Sequence, residues 1–272
     1  MTNIAVAKVP GYRELHMDLH LPRQRKSAPV VFWVHGGGWY AGSRTTVPDS
    51  ILDAGGVHRI LLSRGFAVAD VDYRLSREAP WPTQLHDVKA AIRWVRAFAS
   101  DLGVDPDRFA VLGYSAGAHL AAFTGLTSGS GSTDLEGSVG VTGVSSAVQA
   151  AATWYGPTDL LPAARGLGID LADPDSSFAW LLGCPVTEDA LSAASPINHV
   201  NAAAPPFLCV HGTADQHVSA AHSEWLAERL RAHGVRCDLH LVPGADHDFV
   251  GAPDVKAVID LTVEFLCEAH HR

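Results

Sequence analysis

Short apolar runs alternate with helical patterns along most of the 272-residue sequence, and this alternation constrains the fold more than any other feature. Apolar runs bounded by turn residues are typical of strands covered on both faces, and a helix between two such runs supplies the crossover that parallel strands need. The sequence therefore predicts the α/β class, with one mostly parallel sheet of about eight strands and helices on both faces. The predicted strands are residues 12–20, in which polar and apolar residues alternate, and then Val30–Val34, Phe66–Val71, Arg108–Leu112, Ala150–Trp154, Pro206–Val210 and Arg236–Val242.

Apolar residues at helical spacing occupy the segments between these strands. Ser219 is expected to cap one of these helices and Gly234 to end it, because a serine hydroxyl satisfies free N–H groups and glycine adopts the left-handed conformation that ends many helices. The predicted helices are Thr83–Ser100, Ala118–Leu126, the segment between Ser219 and Gly234, and Asp254 to about Ala269.

Two segments interrupt the alternation. Thr127–Thr133 contains only Thr, Ser and Gly, which predicts a flexible surface linker. Residues 157–205 form a 49-residue excursion between two predicted strands, and loops of this length are commonly functional lids or contain small helices. We interpret residues 1–272 as a single domain with 157–205 as a lid-like insertion. Only 29 residues precede the first core strand, so no large cap domain is expected.

The composition excludes several classes of protein. Lys and Arg number 20 against 29 Asp and Glu, so the formal net charge is −9 and no basic stripe is present for nucleic acid. No apolar run approaches the roughly 18–20 residues of a membrane span, and Met1–Lys8 lacks the pattern of a signal peptide, so we expect no membrane partner and a cytoplasmic location. The four cysteines form no CxxC motif or zinc-type cluster, so no metal site is expected.

Residues 113–117 read Gly-Tyr-Ser-Ala-Gly, between the predicted strand Arg108–Leu112 and the predicted helix Ala118–Leu126. A GxSxG pentapeptide in this context is typical of a nucleophile elbow, a strained turn that lifts the serine hydroxyl away from the backbone. The N–H of the following residue, here Ala116, points to the same place. The sequence therefore predicts Ser115 as a nucleophile.

Residues 35–39 read His-Gly-Gly-Gly-Trp and directly follow the predicted strand Val30–Val34. Three glycines allow successive N–H groups to face a cavity, an arrangement that suits a developing oxyanion. A phosphate-binding loop is the alternative, but the GxGxxG pattern and the Lys-Ser/Thr ending are both absent. His35 is expected to anchor this loop through hydrogen bonds, not to act as a base.

A serine hydroxyl needs an imidazole to take its proton and a carboxylate to orient that imidazole. Asp215 follows the predicted strand Pro206–Val210, and His247 follows the predicted strand Arg236–Val242. The carboxyl ends of parallel strands meet at one edge of the sheet, where ligands bind. The order Ser115, Asp215, His247 is also the order that the α/β-hydrolase arrangement requires.

Other titratable residues near these motifs are expected to serve elsewhere. His119 lies one helical turn after Ser115 and is predicted to be a hydrogen-bonded core histidine. His217 is the main rival of His247 for the role of base. The further candidates, which we expect to be less suited, are His211, Asp246 and Asp248.

Taken together, these motifs make the sequence resemble the lidless α/β-hydrolase esterases that carry HGGGW, in particular the bifunctional feruloyl and acetyl xylan esterase type. The resemblance implies a carboxylesterase with Ser115, Asp215 and His247 as its triad. It also implies that Gly37, Gly38 and Ala116 are the oxyanion donors. The matching segments are His35–Trp39, Asp72–Ser76, Glu78–Pro80, Gln84–Val95, Gly113–Leu120, Trp154–Asp159, His211–Asp215 and Gly244–Phe249.

The substrate is predicted to be a small-molecule or carbohydrate ester with a short acyl chain, hydrolysed without a metal or organic cofactor. Kynurenine formamidases with the same HGGGW motif are similar, so an amide hydrolase is the alternative. A non-catalytic receptor on a hydrolase fold is a further alternative, and it predicts a degraded triad. The aromatic residues expected on the side of the active site, as walls of a pocket, are Trp39, Tyr40, Trp81, Tyr114, Trp154 and Tyr155.

Overall fold

The computed structural model covers residues 1–23, 27–127 and 133–270. Within them one sheet has eight strands, which are β1 (Ile4–Ala7), β2 (Leu15–His20), β3 (Ala28–Val34), β4 (Ala67–Val71), β5 (Val104–Tyr114), β6 (Ala150–Trp154), β7 (Phe207–Gly212) and β8 (Cys237–Val242). Their order is β1-β2-β4-β3-β5-β6-β7-β8. β1 and β2 are antiparallel to their neighbours, and β3 to β8 are mutually parallel. The predicted mostly parallel α/β sheet is confirmed.

The observed strands differ from the predicted ones in two places. β1 was not predicted, because four residues are too few for an alternating pattern to stand out. β5 begins at Val104, before the predicted start at Arg108, and its register with β3 shifts between Ala28 and Val30. The polar residues of this extension, such as Asp105, are typical of a turn and hide the strand in the sequence.

Eleven α-helices and two 3₁₀-helices connect these strands within the described residues. The predicted helix Thr83–Ser100 breaks at Phe98, and Ala220, not Ser219, occupies the N-cap of the tenth helix because the chain first turns at Ser219. The helices are α1 (Asp49–Asp53), α2 (Val57–Ser63), α3 (Thr83–Ala97), α4 (Ala99–Leu102), α5 (Ala116–Thr127), α6 (Thr133–Glu136), α7 (Leu160–Gly166), α8 (Ser177–Leu182), α9 (Glu188–Ala193), α10 (Ala221–Ala232) and α11 (Val255–His270), with 3₁₀-helices at Pro196–His199 and His247–Phe249.

The sheet is buried on both faces, which explains the uninterrupted apolar runs in its central strands. In β3, Val30, Phe32 and Val34 pack into the core cluster formed with α3 and α5. Val31 and Trp33 point the opposite way, into the cluster formed with α1, α2 and α11. No helix in the described part of the chain is both long and apolar enough to cross a membrane.

Two of the four cysteines lie side by side in this core. Cys209 of β7 and Cys237 of β8 are buried, with their sulfur atoms 3.8 Å apart. The predicted linker Thr127–Thr133 lies outside the described residues except at its two ends.

The insertion at residues 157–205 packs against the core and contains α7, α8, α9 and the first 3₁₀-helix. Phe178 and Leu191 are buried in the same cluster as α5. The carbonyl of Leu181 accepts a hydrogen bond from the N–H of Trp81 at 2.8 Å. The carbonyl of Ala194 accepts one from Nε2–H of His119 at 2.8 Å. The insertion is therefore bonded to α5, which is itself buried along its whole length.

His119 is the hydrogen-bonded core histidine that the sequence predicts. Its Nδ1 accepts a hydrogen bond from Nε1–H of Trp39 at 3.2 Å, so both ring nitrogens are satisfied in the neutral form. Burial lowers the pKa of His119 from 6.5 to about 4. The neutral ring therefore joins the loop after β3, α5 and the insertion.

We predict that His119 makes the fold sensitive to acid. Its pKa is lower in the folded chain than in the unfolded chain, so its stabilising effect is complete above about pH 6.5 and is lost as the pH falls toward 4, by up to about 3 kcal/mol. Urea unfolding of wild-type protein and His119→Gln between pH 7.5 and 5 should show a shallower loss of stability in the variant. The exposed His240, replaced by Gln, is the control and should keep the wild-type slope. Equal slopes in all three proteins would contradict the prediction.

Candidate active site

Ser115 lies at a sharp turn between β5 and α5. Its φ is +53°, a left-handed conformation that is rare and strained for a residue other than glycine. A Cβ atom on Gly113 would lie 2.2 Å from the carbonyl oxygen of Gly117, and one on Gly117 would lie 2.1 Å from the carbonyl oxygen of Val34. Both glycines of the GxSxG motif are therefore required for the backbone to turn this closely.

Three side chains from distant parts of the sequence form one hydrogen-bonded chain. Nε2 of His247 lies 3.0 Å from Oγ of Ser115, and Nδ1 of His247 lies 2.8 Å from Oδ2 of Asp215. Ser115 follows β5, Asp215 lies in the loop after β7, and His247 begins the 3₁₀-helix after β8. The carboxyl ends of three parallel strands thus bring together the residues that the sequence predicts there.

The carboxylate of Asp215 is held in its ionised form. Its burial opposes ionisation, but hydrogen bonds from His211 and His247 and from the N–H of Val218 outweigh that effect, so the pKa of Asp215 is well below its usual value. Oδ1 accepts the N–H groups of His217 and Val218, both at 2.8 Å. His211 is itself fixed by contacts of 2.7 Å with Oγ of Ser223 and the carbonyl of Val218. His211 therefore helps to hold the Asp215 carboxylate in place and ionised.

The aspartate that precedes His247 has a different task. Oδ1 of Asp246 accepts the N–H of His247 at 2.7 Å and the N–H of Gln216 at 2.8 Å. It thereby ties the backbone of the loop after β8 to that of the loop after β7. As predicted, its carboxylate does not orient the imidazole.

The rival histidine, His217, is exposed and lies beside the hydrogen-bonded chain without joining it. Its ring centroid is 5.1 Å from that of His247. A ring nitrogen of each of these two histidines and a carboxylate oxygen of Asp215 lie within 4.8 Å of one another. Ser115 contacts His247 and not His217, so the geometry favours His247 as the base.

The glycine-rich loop after β3 presents its backbone to the same place. Gly37 and Gly38 have φ values of +107° and +57°, and their N–H groups donate to no acceptor among the described residues. The carbonyl of Gly37 instead accepts hydrogen bonds from the N–H groups of Tyr40 and Ala41, which close the turn. Ala116 is the first residue of α5, and N–H groups in the first turn of a helix have no partner within it.

His35 anchors this loop, as the sequence predicts. Its Nδ1–H donates to the carbonyl of Gly36 at 2.7 Å, and its ring stacks on that of Tyr73 with centroids 4.2 Å apart. The Tyr73 hydroxyl donates in turn to the carbonyl of His35 at 3.0 Å. Burial lowers the pKa of His35 to about 4, so the ring is neutral and holds the loop in position.

A cavity of about 550 Å³ opens in front of Ser115 and His247. The predicted oxyanion residues line it, as do three of the predicted aromatic residues, Trp39, Tyr40 and Tyr114. Several wall residues were not predicted individually, because the sequence marked the insertion only by its length and indicated no side-chain direction. They include Ala163, Leu167, Ile169, Ser177 and Phe178 of the insertion, and Thr46, Val47 and Pro48.

Three predicted pocket residues, Trp81, Trp154 and Tyr155, do not line the cavity. Trp81 packs instead against His119 and Phe123, with ring centroids 5.3 and 4.6 Å away. Trp154 faces the opposite side of the sheet, where its Nε1–H donates to Oγ1 of Thr262 in α11 at 3.1 Å. Tyr155 is also fully buried, and its ring packs behind that of His247 with centroids 4.8 Å apart. Both lie near a strand end, as predicted, but their side chains point into the core.

Comparison with known proteins finds several similar proteins, and those described here are all esterases. Esterase LipQ of Mycobacterium tuberculosis is 32% identical over 94% of this chain and 60% of its own length. A truncated carbohydrate esterase from gut microbiota has a TM-score of 0.85 and 31% identity, over 100% of this chain and 96% of that one. Esterase 2 of Thermogutta terrifontis, solved with propionate bound, has a TM-score of 0.77 and 30% identity, over 98% of this chain and 93% of that one.

The chain spans 45% to 60% of the length of the first three mycobacterial relatives, so these proteins contain segments that it does not match. The family model described as BD-FAE matches residues 17–230, which is most of the chain. The eight-stranded sheet agrees with the folds of the similar esterases. The chain therefore belongs to the BD-FAE family and has the α/β-hydrolase fold.

Proposed function

We propose that this protein is a serine carboxylesterase that hydrolyses short-chain acyl esters, including acetylated or feruloylated carbohydrates. The observation that carries the proposal is the continuous hydrogen-bonded chain from Ser115 through His247 to Asp215, which opens into a cavity next to three free N–H groups. A non-catalytic receptor would have no need of all these parts together.

The first chemical step is the attack of Ser115 on the ester carbonyl. Nε2 of His247, 3.0 Å from Oγ, accepts the hydroxyl proton as the Oγ–carbon bond forms. The imidazolium that results is stabilised by the Asp215 carboxylate at 2.8 Å, which remains ionised because its pKa is low. His247 then gives the proton to the leaving alcohol as the ester bond breaks.

The negative charge that develops on the carbonyl oxygen is stabilised by the N–H groups of Gly37, Gly38 and Ala116. Donors fixed in advance act strongly because no reorganisation accompanies the reaction, and loss of one such donor commonly costs about a hundredfold or more in rate. Water next attacks the acyl-enzyme by the same route, with His247 accepting the proton of the water and returning it to Oγ. No step of this scheme requires a cofactor.

The shape of the cavity supports a small acyl group. Leu167, Ile169 and Phe178 of the insertion line the same cavity as Ser115 and make part of its wall apolar. About 550 Å³ lies in the range of roughly 300–1,000 Å³ typical of small-molecule sites. The propionate bound to the similar esterase 2 and the carbohydrate esterase among the relatives support a short acyl chain on a sugar alcohol.

We predict that Ser115→Ala abolishes ester hydrolysis without unfolding the protein. The rate constant kcat/KM should fall by about 10⁴-fold or more, because no other group supplies the nucleophile. Ser63→Ala, at an exposed serine on α2, is the matched control and should retain wild-type activity. A fluorophosphonate should label wild-type protein and Ser63→Ala but not Ser115→Ala. Wild-type turnover by Ser115→Ala would disprove the proposed mechanism.

We predict that replacing Asp215 and replacing Asp246 have very different effects on kcat. Asp215→Asn removes the charge that stabilises the imidazolium, so kcat should fall by about 10⁴-fold. Asp246→Asn keeps an oxygen that accepts backbone N–H groups and should change kcat far less. The measurement is kcat on p-nitrophenyl acetate, with circular dichroism as the test of folding. A larger loss in Asp246→Asn would show that the acid is assigned to the wrong residue.

The acyl and alcohol preferences are tested by a substrate panel. It comprises p-nitrophenyl esters from acetate to palmitate, methyl ferulate, acetylated xylan and N-formylkynurenine, compared by kcat/KM. Because the insertion contributes bulky side chains to the wall of a cavity of about 550 Å³, we expect acetate to butyrate to be preferred. A preference for octanoate or longer chains would overturn the assignment to short acyl groups, and dominance of N-formylkynurenine would identify an amide hydrolase.

A further inference from the structure

The imidazole of His217 borders the cavity but takes no part in the proposed mechanism. Its backbone N–H donates to Asp215, yet its side chain forms no hydrogen bond or ion pair with any residue that the structure describes. It is exposed, lines the cavity and lies 5.1 Å from His247, centroid to centroid. A free imidazole at this position is available to bind a further ligand.

The side chains next to His217 are of the kinds that coordinate metal ions in proteins. His217, His247 and Asp215 each offer one ligand atom, and these atoms lie within 4.8 Å of one another. Ligand atoms at about 2.0–2.2 Å from a tetrahedral Zn²⁺ are about 3.3–3.6 Å apart. Because His217 is exposed and unpartnered, rotation of its side chain can supply the difference.

The types of ligand decide which cations fit. Two imidazoles and one carboxylate are a donor set that Zn²⁺ binds readily, with the fourth position left to water or substrate. Mg²⁺ and Ca²⁺ prefer oxygen ligands and gain little from imidazole nitrogen. Cysteine spacing, the signal used in the sequence analysis, gives no indication of a site that contains no cysteine.

We propose that Asp215, His217 and His247 form an inhibitory site for Zn²⁺ or a similar divalent transition metal ion. The inference rests on the proposed function, because the inhibition acts on His247 as the base. A metal ion at Nε2 occupies the lone pair that would accept the proton of Ser115. A metal ion at Nδ1 displaces the hydrogen bond to Asp215, and the ring proton moves to Nε2, whose lone pair is then no longer available to accept the proton of Ser115. Bound metal thus stops the acylation step in either case.

A second grouping of two histidines and one aspartate provides a matched control. Nε2 of His20 and Nε2 of His58 contact opposite oxygens of Asp70, at 3.0 and 2.6 Å. This cluster does not line the cavity. His20→Gln therefore removes an imidazole from a similar chemical setting without touching the proposed metal site.

The first measurement is inhibition of p-nitrophenyl acetate hydrolysis by ZnCl₂ in a buffer that does not chelate metal. Each variant is compared with its own rate without metal. His217→Gln should raise the Zn²⁺ concentration for half-inhibition by about tenfold or more, because it removes one ligand of three. His20→Gln should keep the wild-type value, EDTA should restore activity, and MgCl₂ at equal concentration should not inhibit. Equal sensitivity of wild-type protein and His217→Gln to Zn²⁺ would overturn the proposal.

The second measurement needs no catalysis. Isothermal titration calorimetry should show that Zn²⁺ binds to Ser115→Ala. The Kd for Zn²⁺ should be about tenfold higher, or more, in the double variant Ser115→Ala/His217→Gln. If the untreated enzyme hydrolyses no ester while the titration shows binding that depends on His217, the proposed function fails and the metal site stands. Equal binding by the two variants, or none by Ser115→Ala, would overturn the metal site.

Discussion

The strained turn at Ser115 is the constraint around which the site is organised. A left-handed serine persists only where its surroundings hold it, and here they do so from both sides. Before the turn, β5 lies at the centre of the sheet, and after it α5 is buried along its whole length. The close approach of Gly117 to Val34 couples the turn to β3, which also carries the glycine-rich loop. The proposed nucleophile and the proposed oxyanion loop therefore share one structural support.

Charge in the site is concentrated on a single buried carboxylate. Asp215 accepts hydrogen bonds from two backbone N–H groups and two imidazoles. Its ionised form is therefore stabilised before any substrate binds. The buried His35 and His119 have the opposite character, since their low pKa values leave them neutral structural links. The structure thus separates histidines that hold loops in place from the one that contacts Ser115.

Prediction from the sequence succeeded where the chemistry is local. The GxSxG and HGGGW motifs, and the rule that functional residues follow parallel strands, were enough to bring Ser115 together with a histidine 132 positions away. The same rule failed for Trp154, because proximity to a strand end does not say which face a side chain takes. Ala150, Ala152 and Trp154 share the face that packs against α11, an alternation that is hard to see in a strand whose only polar residue is Thr153. The cavity wall formed by Phe178 depends on contacts distant in sequence, which no local pattern encodes.

The division of the cavity between two stretches of chain has a consequence for how such an enzyme diversifies. The proposed reacting groups come from turns at the carboxyl ends of strands, whereas much of the apolar wall comes from residues 157–205. Substitutions in that segment can change the shape of the cavity while the proposed proton relay stays as it is. The hydrogen bond between His119 and Ala194 limits this freedom, since it joins the segment to α5, the helix that follows Ser115. Variation is therefore expected to be tolerated most readily at wall positions that do not contact α5.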